Sequence, residues 1–182
     1  MDGRARIITF WALVAAVLGL GAVMAGWSVP RLTADAGAPI FDMRGAGFGI
    51  DEARAFLRAL SPEGVQFYLN VQQRLDLLFP ALFGLVMAWS ILWASRPLPI
   101  WIGGPFAVLA ILGALADYAE NIAVAGMLRA GADAVTLDQV STASRWVITK
   151  TLVWGVVGLV LLQLIIWRGW RGWRARIEKG KA

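Results

Sequence analysis

Cysteine and histidine are both absent from this chain. Without cysteine there is no disulfide, no thiol redox chemistry and no thiolate metal site. Without histidine the imidazole ligand, His-ligated haem and the commonest general base are excluded too. Charge is scarce as well, at 16% of 182 residues against 59% hydrophobic, which is too little for an ordinary soluble domain. Acidic residues are the minority of that small set, 12 against 17 Lys and Arg. The bases are nearly all Arg, and together with the Ala, Gly and Trp content this points to a GC-rich bacterial genome.

What the chain does have is apolar length. A membrane-spanning helix needs about 20 predominantly apolar residues, and four stretches qualify, at about 7–27, 75–94, 100–122 and 146–167. The sequence therefore predicts an all-α integral membrane protein: a single domain over 1–182 with four transmembrane helices in an up-down bundle. A secretory signal peptide cut after Ala25 competes for the first stretch, but its apolar run is long for such a segment.

Residues 28–74 interrupt the pattern and read as an extracytoplasmic loop with cap helices. Pro30, Pro39 and the run Arg44 to Gly49 suggest irregular chain, and the G-x-G-x-G there lacks the spacing and the preceding strand of a dinucleotide site. Asp51 is placed to cap a short helix, and Ser61-Pro62 to start the next, an amphipathic lead (Val65, Tyr68, Leu69, Gln72) into the second span. Pro80 sits inside that span, where it cannot bond the carbonyl of Asp76 and should kink the helix. Thr136 to Gln139 fits a capping box that opens the fourth helix.

Orientation follows from the bases. Arg4, Arg6, Arg96 and the tail lie in short segments, whereas the bases of 28–74 are matched by acids, so both termini are expected in the cytoplasm of a bacterial inner-membrane protein. The tail 168–182 carries six bases (Arg168, Arg171, Arg174, Arg176, Lys179, Lys181) against Glu178. Interleaved with Trp167, Trp170 and Trp173, these bases suit an interfacial anchor on anionic lipid and need no nucleic acid to explain them.

The most informative stretch is 103–125. At helical spacing Gly103, Ala107, Ala110, Ala114, Asp117, Asn121 and Ala125 share one stripe, flanked by Gly113, Ala116 and Glu120, while Val108, Ile111, Leu115, Tyr118 and Ile122 lie opposite. Small residues let helices approach closely, so Asp117, Glu120 and Asn121 should face a bundle interior. Counting about 1.5 Å per residue from each inner boundary brings Asp76, Asp117, Glu120, Asn121 and Lys150 to one level, about 24–30 Å up, with Arg74 and Arg145 a turn further out.

Two readings fit this polar layer. In the first it is structural, with Asp76, Asp117 and Glu120 neutralised by Lys150, Arg74 and Arg145. In the second, Asp117, Glu120 and Lys150 are candidate catalytic residues of a small membrane-embedded enzyme or lipid site for an amphiphilic substrate at the outer leaflet. Arg44, Arg54 and Arg58 are then candidates for binding its head group. A conducting oligomer is a third possibility, disfavoured because the inner half offers little beyond Ser90, Ser95 and Gln163. The leading expectation is a non-enzymatic protein acting through membrane lipids, a partner membrane protein or a second copy of itself, with no cofactor and no metal.

Overall fold

A computed structural model describes residues 3–179; Lys181 of the basic tail lies outside the described residues. The described chain is all helix and turn. Its elements are α1 (Gly3–Ala36), α2 (Ile50–Ala59), α3 (Pro62–Ala94), α4 (Ile100–Ala134) and α5 (Leu137–Lys179). Helices α1, α3, α4 and α5 are each long and apolar enough to cross a membrane.

Helix α4 is central, packed along both α3 and α5, while α1 leans on α3. The periodicity of 103–125 explains why. Gly103, Ala107, Ala110, Gly113, Ala114, Ala116, Asp117 and Glu120 are all buried, and Val108, Ile111, Leu115 and Ile122 are exposed on the other face. At Gly113 a Cβ would come within 3.0 Å of Val153 and 3.1 Å of Trp154, so glycine there lets α5 approach as closely as it does.

Outside this seam the long helices turn apolar side chains outward. Only 11% of the most hydrophobic window of α1, and the same share of that of α5, is buried.

Helix α1 departs from the sequence reading. The expected loop from residue 28 is instead helical to Ala36, past Pro30. A π turn at Met24–Ser28 precedes the proline, with the Val29 N–H bonding the Met24 carbonyl; the widened turn relieves the crowding a proline brings to a regular helix. The helix ends on Gly37.

The segment after it folds into a cap. A single 3₁₀ turn, Phe41–Met43, leads to Gly47, whose φ of 89° aims the Phe48 N–H at the Ser144 hydroxyl of α5, 2.9 Å away. Phe41 is fully buried, its ring 4.8 Å from Phe48 and 4.7 Å from Phe56. Together with Leu32, Ile40 and Tyr68 these rings close a core over the ends of α4 and α5, against Val124, Met127, Val140 and Val147. The cap of α2 is Gly49, not Asp51: the Gly49 N–H donates to Glu52 at 2.9 Å. Ser61 caps α3 as expected, accepting from Gly64 N–H at 3.0 Å. Its own N–H and hydroxyl donate to Asp35, which ties the end of α1 to the start of α3.

The carbonyl of Asp76 that Pro80 leaves unbonded accepts from the Asn121 amide at 3.4 Å, and the neighbouring Leu77 carbonyl accepts from Tyr118 at 2.7 Å. The Thr136–Gln139 capping box opens α5, with bonds of 3.0 and 3.3 Å. Helix α5 continues beyond Trp167 to Lys179, because its Arg- and Trp-rich end contains no proline to stop it.

Candidate functional site

The polar cluster lies where the cap meets the bundle. On α5, Val147, Lys150, Trp154 and Val157 recur at three- and four-residue steps, which turns Lys150 inward beside two fully buried valines. On α4, Asp117 and Glu120 are one turn apart on the inward stripe. From the cap, the buried Phe41 ring holds the next residue, Asp42, over the same point. The Lys150 ammonium lies 2.5 Å from Glu120 Oε2 and 3.7 Å from Asp117 Oδ1, and is in direct contact with Asp42 Oδ1. Three carboxylates from two separate segments thus surround one cation.

Helix α3 supplies the remaining side. A π turn at Tyr68–Gln72 brings Tyr68, Gln72 and Asp76 to one buried face, with exposures of 2%, 0% and 3%. Gln72 Nε2 donates to Asp76 Oδ2 at 2.8 Å, while Gln72 Oε1 has no partner among the described residues. The Tyr68 hydroxyl lies within electrostatic range of Asp42, Asp76 and Glu120, and faces the Phe41 backbone without the geometry of a full hydrogen bond. Glu120 is fully buried; its Oε2 meets the ammonium off the hydrogen-bond direction and its Oε1 has no partner among the described residues.

Of the residues singled out from sequence, Asp76, Asp117, Glu120, Asn121 and Lys150 come together here. Asn121 holds backbone, donating to the Asp76 carbonyl and accepting from Gln73 Nε2 on its own carbonyl at 2.8 Å. Arg74 and Arg145 stand outside. Arg74 is exposed and pairs with none of these carboxylates among the described residues, and Arg145 folds back onto Ser141 of its own helix at 3.2 Å.

The three head-group candidates are each engaged elsewhere. Arg44 donates twice to the Pro39 carbonyl, at 3.0 and 2.8 Å, and lies 5.2 Å from the centres of both the Phe41 and Phe56 rings. Burial lowers its pKa from the ordinary value, yet a guanidinium stays charged there. Arg54 reaches the Val135 carbonyl at 3.4 Å. Arg58 makes an exposed pair with Asp133 at 3.7 Å, of the kind that contributes little.

Asp42, Tyr68 and Gln72 are the members that sequence reasoning did not assign to the site. A signal existed for two of them, since Tyr68, Gln72 and Asp76 recur every four residues. Asp42 carried none.

Two cavities lie outside the charged group, and neither is lined by Asp117, Glu120 or Lys150. One, of about 350 Å³, is bordered by Gln73, Tyr118, Asn121 and Arg129. The larger, of about 750 Å³, is a groove between the start of α1, the end of α3 and α5. Trp11, Trp89, Trp93 and Ile165 form its walls, and Arg6 and Arg96 also line it. Arg168 borders this region, donating to the Trp93 carbonyl at 2.9 Å and lying 4.2 Å over the Trp93 ring.

No protein-family model, curated protein or solved structure matches this chain.

Proposed function

We propose that this is a multi-pass protein of a bacterial inner membrane, non-enzymatic, that acts by holding lipid. Its four long helices run up and down across the bilayer, with both termini in the cytoplasm and the cap outside. The apolar faces that α1 and α5 turn outward support this placement, because surfaces so apolar need hydrocarbon around them. The bases at Arg4, Arg6, Arg96 and Arg168 support the orientation.

The observation that carries the lipid reading is the Trp-walled groove with Arg6 and Arg96 in its lining. In this orientation it opens at the cytoplasmic leaflet, at head-group depth. Acyl chain lies against Trp11, Trp89 and Ile165, and the two guanidiniums take the phosphate of an anionic phospholipid. The polar cluster at the other end serves to fasten the cap.

Reporter fusions at residues 45 and 133 are expected to read outside, and those at 97 and 180 inside; an inside signal at 45 overturns the orientation. Native mass spectrometry of the purified chain, offered equal anionic and zwitterionic phospholipid, is expected to show retained anionic lipid. That preference should vanish in an Arg6→Gln/Arg96→Gln variant of unchanged melting temperature. Equal retention of both lipids by the native chain overturns the lipid reading.

A further inference from the structure

The cluster under the cap is short of positive charge. Asp42, Asp117 and Glu120 share one ammonium, Lys150, with Asp76 nearby on α3, and all but Asp42 are buried. In their ionised forms they leave an excess of three negative charges in a site with little access to water, an arrangement that is costly unless something else neutralises it.

Carboxyl oxygens of Asp42, Asp117 and Glu120 lie within 4.8 Å of one another. An acidic cluster alone is a common feature of protein surfaces. This one differs in the neutral groups beside it: the Tyr68 hydroxyl and Gln72 Oε1, on the same side as Asp76, are buried without hydrogen-bond partners among the described residues. Buried polar groups are nearly always paired, so these two orphaned oxygens, with the unpartnered Glu120 Oε1 of the cluster itself, ask for a shared partner that accepts electron pairs.

We propose that the cluster binds one hard divalent cation, Mg²⁺ or Ca²⁺. Its ligands come from Asp42, Asp76, Asp117 and Glu120, with Gln72 Oε1 and the Tyr68 hydroxyl as neutral oxygen donors. An all-oxygen set without imidazole or thiolate suits these ions and disfavours zinc and copper. The cation brings the charge excess down from three to one. It also joins α3 to the cap and α4, a connection that Lys150 on α5 does not make. Asp42, the least buried of the four carboxylates, is the side from which the ion enters. Lys150 remains as a fixed like charge beside the cation and weakens its binding. The site is independent of the lipid groove and stands or falls separately from it.

The test uses the full chain in detergent, stripped with EDTA and titrated with MgCl₂ or CaCl₂ at constant ionic strength, read by calorimetric titration and thermal unfolding. A saturable rise in melting temperature with one ion bound per chain is expected, and ZnCl₂ should give no comparable rise. The response should be lost in Asp76→Asn and in Glu120→Gln but kept in Asp133→Asn, which alters an exposed acid elsewhere. Lys150→Met, in which the competing charge is gone, should bind the ion more tightly by about tenfold or more.

Should the amide variants fail to fold, the native chain alone decides. Absence of bound Mg²⁺ or Ca²⁺ at millimolar concentration refutes the site, as does a rise reproduced by NaCl or retained in the folded amide variants. A native chain unresponsive to cations, together with an Asp76→Asn variant more stable than it, would assign the excess charge to bound protons and also refute the site.

Discussion

In EDTA, Lys150→Met is expected to lower the stability of the detergent-solubilised chain by about 3–5 kcal/mol, the usual cost of removing one partner from a buried ion pair. The loss comes less from the attraction removed than from the carboxylates left behind, since Glu120 is fully buried and Asp117 nearly so. A combined Lys150→Met, Asp76→Asn, Asp117→Asn, Glu120→Gln variant should recover much of that loss, because the one charge of this group then left is Asp42, which has access to water. Thermal or denaturant unfolding of the two variants side by side checks this. If the single change is harmless, interfacial water reaches the cluster and its charges are not buried in the sense argued here.

Phe41→Ala should be comparably damaging, about 3–5 kcal/mol, as is usual for truncating a buried phenylalanine. Its ring fills the space between Phe48 and Phe56 and anchors the turn that carries Asp42. The expected outcome is a cap that opens before the long helices do. Limited proteolysis should therefore cut first between residues 37 and 49, while the fragment spanning α3 to α5 survives. Uniform loss of the whole chain without that early cut would show that the cap and bundle unfold together.

How much of this could be read from the sequence depends on whether the signal was local. The inward stripe of α4 was legible because it repeats every three to four residues and contrasts small with large side chains. Its neighbour across the seam, Gly84 of α3, follows from the same logic: a Cβ there would come 3.2 Å from the Ala114 Cβ. Counting helical rise was enough to bring Asp76, Asp117, Glu120 and Lys150 to one level, while the Ser61 cap was marked by the adjacent Pro62 and the Thr136 box by its three-residue spacing.

What escaped was non-local or depended on exact backbone geometry. Asp42 meets Lys150 across 108 positions of sequence, from a loop with no periodicity to mark its register. The continuation of α1 through Pro30 depends on a π turn, which has no composition signal. Arg74 and Arg145 were placed near the layer by depth, but depth says nothing about azimuth, and both point away from it. The groove at the other end joins three helices whose facing sides could not be deduced one helix at a time.

The central claim is that the cap and the bundle are joined through Asp42 and Lys150, and a double-mutant cycle on these two residues tests it most directly. Unfolding free energies of the native chain, Asp42→Asn, Lys150→Met and the double variant, measured in EDTA, should give a coupling of about 1–3 kcal/mol, in the upper part of the span for residues in one ion-pair network. Effects that add to within about 0.5 kcal/mol, as for distant and independent sites, would contradict it.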